Sequence, residues 1–420
     1  MTEHKSSLAR RDFLGAGLLI LSPAIVKGSQ ANSAVRVGLL GCGGRGTADA
    51  SGMMESAGAR VTAVADLFED QATRAKQHFD GLAGKLGRAG VERVYTGPKA
   101  AQEIANSKEV DAVVIATPPY FHPEHLGIVI DGGKHAYCEK PVAVDVAGTK
   151  GVAEIGKKAK GKLTLHVGFQ IRKAPPFVEL VRRIHGGALG RIASGEAFYF
   201  CPLIERPAFE KASPTERRLR NWIYDRVLSG DIIVEQNVHV LDICNWTLNA
   251  HPIKAVGKGG RTGRTEPGDA SSHFNLVFEY PNGIHVGFSS CQFGKVAFDA
   301  NERFMGTMGS SSSPYAGPIG ITGQNAWQFG ESKAAPAGGE FSATGSFSDN
   351  LAQADPEKHR AFISSIAEGR FDNDTDAGVE TALTGILGRT AAYTGREVTW
   401  DELVRSNEKW DAKLDVSKLG

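Results

Sequence analysis

The chain of 420 residues carries 48 basic and 47 acidic side chains, a formal net charge of +1, with 41% hydrophobic residues. That length suffices for two domains with real cores, and the balanced charge leaves no footprint for nucleic acid or a membrane surface. The cysteines (Cys42, Cys138, Cys201, Cys244 and Cys291) are odd in number, scattered and without metal-ligand spacing, which suggests neither a disulfide framework nor a metal site.

At the amino terminus, Ala9-Arg10-Arg11-Asp12-Phe13-Leu14-Gly15 and the mildly apolar stretch Ala16 to Val26 resemble a twin-arginine export signal. The apolar run is too short for an ordinary transmembrane helix and no later segment qualifies, so no stable membrane insertion is expected. Residues 1–34 are set apart as signal and linker. The expected destination is the bacterial periplasm or another extracytoplasmic space. Twin-arginine export handles folded proteins, which suits a chain that must take up its cofactor in the cytoplasm and keep it.

Val35 to Gly46 reads V-R-V-G-L-L-G-C-G-G-R-G. A short apolar strand runs into Gly41, Gly43 and Gly46 at G-x-G-x-x-G spacing, and a helix-compatible stretch follows from Thr47. In such a loop Gly41 permits the tight turn, Gly43 lets the backbone approach a pyrophosphate, and Gly46 lets the helix close on the sheet; Cys42, Gly44 and Arg45 complete it. A second apolar strand, Ala59 to Ala65, ends in Asp66, placed to accept hydrogen bonds from the adenosine ribose and to repel a 2′-phosphate. The expected cofactor is therefore NAD rather than NADP.

Val110 to Thr117 is apolar enough for a central parallel strand and ends in Thr117-Pro118-Pro119, with His122 just before a helix from about Pro123. His135 to Cys138 reads as another strand running into Glu139-Lys140-Pro141, where Pro141 restricts the lysine before it. That places Lys140 where a buried nicotinamide belongs. With a helix at Val146 to Ala159 and a strand at Leu163 to Gly168, residues 35–165 are expected to form an α/β Rossmann domain of about six parallel strands. Thr117, Pro118, His122, Glu139 and Lys140 all fall at the cofactor-facing strand ends, although His122 reads equally well as a loop histidine. Just beyond, Gln170 and Arg172 are candidate substrate or cofactor contacts, or surface-structural residues.

Residues 166–420 change in character, and an α+β domain is expected there. A helix near Phe177 to His185 precedes a strand at Ile192 to Phe200. Trp222 offers a ring face to a sugar or to packing. Asp231 to Trp246 reads as one helix, apolar round most of its circumference and hence buried, yet Glu235, His239, Asp242 and Trp246 recur at i, i+4, i+7 and i+11 on one face. Buried charges are costly unless paired, so this stripe wants a function or a partner. It fits a catalytic row, a histidine clamped between two carboxylates, or a metal site. His273 to Tyr280 and Ile284 to Gln292 flank the hairpin signal Pro281-Asn282-Gly283 and point to an antiparallel sheet. Residues 309–349, rich in Gly, Ser and Ala, read as loops, and Glu357 to Glu368 and Thr375 to Thr394 as helices.

The chain resembles the glucose–fructose oxidoreductase, inositol dehydrogenase and rhizopine-catabolism (Gfo/Idh/MocA) family. The matching segments are V-G-L-L-G-C-G-G-R-G, A-T-P-P-Y-F-H, G-K-H-A-Y-C-E-K-P, G-D-I-I-V-E-Q-N-V-H-V-L-D, a G-T-M-G-S segment at Gly306, and the closing T-G-R-E-V-T-W-D-E. The resemblance implies a Rossmann domain joined to a domain with a large open antiparallel sheet, and homo-oligomers (dimer or tetramer) formed across that sheet. It implies hydride transfer between a nicotinamide and a hydroxyl of a small carbohydrate or cyclitol. The family's E-K-P lysine falls on Lys140 and its acid–base histidine on His239, which favours the catalytic reading of the stripe, with no metal. Many relatives carry aspartate where this chain has Glu235 and glycine where it has Asn237.

A mechanism follows for oxidation of a secondary alcohol. His239 is the expected base, since an imidazole titrates near neutrality. Lys140 would hydrogen-bond the same oxygen and stabilise alkoxide charge. Glu235 or Asp242 would orient the imidazole, and Gln170, Arg172, Trp222 and His239 would meet the substrate. Two alternatives differ in class. One is an NAD-dependent glycoside hydrolase or lyase working through a transient keto-sugar, although the Tyr-Pro-Thr-His-like segment of such relatives is absent. The other is a sugar-binding protein without chemistry, against which the presence of both Lys140 and His239 argues.

Overall fold

The computed structural model describes residues 34–330, 341–347 and 349–419. The export-signal reading lies outside the described residues.

The first half alternates strands and helices as its pattern demands: β1 (Arg36–Leu40), α1 (Gly44–Ser56), β2 (Arg60–Asp66), α2 (Glu69–Lys85), β3 (Arg93–Thr96), α3 (Ala100–Ala105), β4 (Ala112–Ile115), α4 (His122–Asp131), β5 (His135–Cys138), α5 (Val146–Ala159) and β6 (Leu165–Val167). The strands form a six-stranded parallel sheet in the order β3-β2-β1-β4-β5-β6. Every residue of β4 is buried, as a strand covered on both faces requires. The order reverses between β1 and β4, so a crevice opens beyond their carboxyl ends, where Gly41 and Thr117 stand.

The second half supplies α6 (Pro175–His185), β7 (Ile192–Cys201), α7 (Pro214–Arg220), α8 (Arg226–Ser229), α9 (Ile232–Glu235), α10 (Val238–Leu248), β8 (Lys254–Gly260), β9 (His273–Tyr280), β10 (Ile284–Gln292), β11 (Asp299–Gly306), β12 (Gly309–Ser312), β13 (Gly320–Gly323), β14 (Trp327–Gln328), α11 (Ala354–Ala367), α12 (Thr375–Thr394), β15 (Val398–Thr399) and α13 (Trp400–Ser406). Nine strands pair in the order β14-β13-β12-β11-β7-β10-β9-β8-β15. The sheet is antiparallel except where β7 and β10 run parallel at its centre. Burial alternates along β9, so one face packs into a core with Phe274, Phe278, Phe288, Phe304, Ile233 and Leu387 while the other faces solvent. The last helices return to the first sheet: Phe362 and Ile363 of α11 join the core of β1 and α1, and Ala382 of α12 joins that of β5 and α5.

Two expectations are corrected. The single helix from Asp231 to Trp246 is two helices broken at Gln236 and Asn237. Gln236 Oε1 accepts from Gln292 Nε2 at 3.0 Å and from Cys201 Sγ at 3.3 Å, which ties the break to the second sheet. The Asn237 amide reaches back to the Ile232 carbonyl at 2.9 Å instead of continuing the α-helical ladder. Residues 309–349 are not all loop either: β12, β13 and β14 extend the sheet edge, each pairing with the strand before it from β11 outward, which supplies the order that their small side chains do not.

Candidate active site

The phosphate loop needs glycine for steric reasons that the structure makes explicit. Gly41 has φ +93°, and a Cβ there would lie 2.6 Å from the Ala116 carbonyl carbon; one on Gly46 would lie 2.4 Å from the Gly41 oxygen. A Cβ on Gly43 would meet nothing within 4 Å, because that residue faces the open crevice. The loop is therefore a cradle shaped for a dinucleotide pyrophosphate at the amino end of α1. The Cys42 side chain is buried and its amide donates to Asp66 Oδ2 at 2.7 Å, while the Phe68 amide donates to Oδ1 at 2.9 Å. Burial raises the Asp66 pKa against those two amides. Asp66 lines the outer crevice with Phe68, Thr117, Pro118 and Phe121.

Arg45 and Glu139 enter a buried ion cluster. Arg45 meets Asp49 at 3.0 Å, Glu139 at 3.2 Å and Asp355 at 2.9 Å, and Lys358 Nζ joins the cluster 2.9 Å from both Asp49 and Asp355. Burial disfavours every charge in this group, and Arg45 and Lys358 hold Asp49 and Asp355 well below the usual carboxylate range. Arg45 and Glu139 border the inner cavity while their charges also tie the seam between α1 and α11. Asp49, Asp355 and His359 bring ligand-type atoms together, yet two cations already occupy the space around them.

The inner cavity, of about 360 Å³, is bordered by Lys140, Glu235, His239, Gln170 and Trp222. Lys140 Nζ donates to the Glu235 carbonyl at 2.6 Å and reaches Glu235 Oε1 at 3.3 Å, with both side chains largely buried. An ammonium has three donors, so one remains for a ligand. The His239 ring is buried, and its enclosed Nδ1 has no hydrogen-bond partner among the described residues. Burial first, and then the charge of Lys140, push its pKa well below the ordinary 6.5, so the ring is a neutral imidazole rather than one poised at neutrality.

Two expected roles are corrected. Asp242 does not orient His239: it accepts two hydrogen bonds from Arg172, each 2.8 Å, and one from Thr381 at 2.8 Å. Asp242 lies on the same helix as His239 but does not border the cavity, and neither does Arg172. Glu235 thus goes to Lys140 and Asp242 to Arg172 and Thr381, so these two carboxylates are not gathered around His239. His122 borders the inner cavity and also acts as a clamp: its ring nitrogens lie 2.7 Å from the carbonyl oxygens of Pro141 and Thr117, joining the two strand-end loops, and burial pushes its pKa down to about 4.

Sequence reasoning missed a strap across the inner cavity. Residues 341–347 border it, and the Thr344 carbonyl accepts from Arg45 at 3.3 Å. Phe347 stacks on Phe298 at 5.4 Å and Phe341 packs on the same ring at 5.7 Å. Two aromatics bracketing a Gly/Ser-rich run were the available signal.

A dinucleotide cradle opening onto a buried lysine and a neutral histidine defines a nicotinamide-dependent oxidoreductase. Residues 35–169 match the family model described as an oxidoreductase family with an NAD-binding Rossmann fold, and residues 177–312 match the Gfo/Idh/MocA C-terminal domain. The chain is 30% identical over 268 residues to inositol 2-dehydrogenase 4 of Saccharopolyspora erythraea, covering 63% of this chain and 69% of that one. It is 26% identical over 391 residues to an inositol 2-dehydrogenase of Rhodococcus jostii, covering 89% and 94%. The solved scyllo-inositol dehydrogenase of Lactobacillus casei with NAD(H) and scyllo-inositol shares the fold, with a TM-score of 0.66 at 15% identity over 88% of this chain and 99% of that one. The chain belongs to the Gfo/Idh/MocA oxidoreductase family, and its cofactor is NAD.

Proposed function

We propose that the enzyme interconverts a secondary hydroxyl of a sugar, glycoside or cyclitol and the corresponding ketone. The observation that carries this reading is the meeting of Lys140 and His239 at one cavity beyond the phosphate cradle. NAD, when bound, accepts or returns the hydride at its nicotinamide ring. Lys140, held by Glu235, directs its remaining donor at the substrate oxygen and stabilises the charge that develops there. His239, neutral because it is buried, takes the hydroxyl proton. Gln170 is buried at the cavity wall and Trp222 half-buried there, and both suit contacts with a polyhydroxylated ring.

The inositol dehydrogenase relatives support a cyclitol or similar ring as substrate. In this reading the cofactor is tightly retained, the amino-terminal twin arginines direct export of the loaded enzyme, and Phe198, Phe200, Val256 and Val277 on the outer sheet face join copies of the chain. Mass spectrometry of products from a panel of cyclitols, sugars and glycosides, with and without added NAD, tests the chemistry. A product lighter by H2 is expected. Cleavage of a glycoside without accumulated ketone would replace this reading with transient oxidation, and no turnover on the whole panel would remove it.

A further inference from the structure

The outer and inner parts of the crevice meet over Gly43, and Arg206 borders both. It stands in the irregular connection between β7 and α7, on the wall that the second half of the chain contributes. Its neighbours on that wall are satisfied. Arg217 donates to the carbonyls of Phe209, Glu210 and Ala212, Arg218 pairs with Asp225, and Arg220 meets Asp70 at 2.7 Å and Glu216 at 2.7 Å. Arg206 pairs with no carboxylate among the described residues and makes one long contact, 3.4 Å, to the Arg220 carbonyl. Glu205, next to it in the chain, also borders the inner cavity but makes no ion pair with it.

The segment is nevertheless held in place. Tyr224 Oη donates to the Ile204 carbonyl at 2.6 Å, and the Leu203 amide to the Gly294 carbonyl at 3.0 Å. The Arg206 side chain itself is exposed, and a guanidinium without a counter-ion at the junction of the two parts of the crevice is available to an anion. From the first half of the chain the phosphate loop offers amides, while its own Arg45 is bound to Asp49, Glu139 and Asp355, and Lys140 stands at the inner cavity only.

We propose that Arg206 is the cation that neutralises the NAD pyrophosphate, delivered from the wall opposite the glycine loop, so that binding NAD clamps the two walls of the crevice together. This deepens the reading that the cofactor is retained. It does not depend on the sugar reading, because its test needs no substrate.

The test is calorimetric titration of full-length wild type, Arg206→Gln and Arg206→Lys with NAD, ADP-ribose and adenosine, together with ligand-free thermal unfolding. Loss of one charge-assisted contact should weaken NAD and ADP-ribose about 10- to 100-fold in Arg206→Gln, with adenosine changed by less than about twofold. Arg206→Lys should recover part of the loss, and ligand-free unfolding should be unchanged. Wild-type affinity of Arg206→Gln for NAD and ADP-ribose would overturn the proposal. So would an equal loss for adenosine, which would mean a distorted pocket, or unaltered NAD binding with a raised KM for a hexuronate, which would move Arg206 to an acidic substrate.

Discussion

At the adenosine end of the crevice the main chain does most of the work: Gly41 bends, Gly43 leaves room, and Asp66 is fixed by the amides of Cys42 and Phe68. At the nicotinamide end the work falls to side chains from segments far apart in the chain: Lys140 after β5, Glu235 and His239 on either side of a helix break, and the strap 341–347. The first end depends on conformations that a few adjacent residues dictate. The second depends on packing that brings distant residues together. Tolerance to change should differ accordingly. Side-chain replacement at the inner end should stop chemistry and leave binding, whereas replacement at the outer end should alter binding and leave chemistry.

The largest effect should come from Lys140→Met and His239→Ala. Each should lower turnover by about 10²- to 10⁴-fold while NAD still binds, with the double variant less impaired than the product of the single losses, because both groups serve one oxygen. Steady-state rates and NAD titration on the same preparations check this; loss of NAD binding would break the contrast between the two ends. The pH profile sharpens it. A base must be neutral to accept a proton, and His239 is held well below its ordinary 6.5 by burial and then by Lys140. As pH falls, kcat/KM should therefore stay level through the usual imidazole range and drop only below it.

A smaller effect is expected at the outer end. Asp66→Ala removes the acceptor for the ribose hydroxyls and the charge that repels a 2′-phosphate. The ratio of NADP to NAD dissociation constants should shrink about 10- to 100-fold, with kcat on NAD largely kept. An unchanged ratio would detach Asp66 from cofactor choice.

The smallest concerns Asp242, which lies outside both ends. Asp242→Asn breaks a bidentate pair with Arg172, whose side chain is 26% exposed, so solvent offsets part of the loss. Thermal or urea unfolding should show destabilisation of about 1–3 kcal/mol, with turnover per folded molecule unchanged. Normal stability with collapsed turnover would return Asp242 to the catalytic row.

Much of the Rossmann half was legible, because glycine spacing, apolar runs and a terminal acid are contiguous signals that each carry their own geometry; α2, the exposed strand β3 and the short α3 carried no such signal. Lys140 was legible for the same reason, standing between a strand and a proline. The helix break was not. The apolar residues of 231–246 suit one buried helix, and nothing local announces that Gln236 will bond to Gln292 and Cys201 on strands elsewhere. The polar stripe misled in turn: Asp242 had the right spacing but found Arg172 and Thr381, and His239 was left without the carboxylate that the helical repeat promised. Residues 341–347 carried composition but no periodicity, and their place over the cavity rests on Phe341 and Phe347 packing against Phe298.

By itself, then, the sequence determined the alternating first sheet, the cradle, the acid beside it, the lysine at the strand end and the strand-rich second half. Backbone conformation and burial period are set over a few residues, so those features survive without knowledge of the fold. Tertiary structure alone decided which charges pair: Glu235 with Lys140, Asp242 with Arg172, Arg45 with Asp49, Glu139 and Asp355. It also left His239 neutral in the cavity and Arg206 without a carboxylate partner among the described residues. Ion pairing and desolvation act through space over a few ångströms, and which side chains come that close is settled by how the two sheets and the returning helices pack.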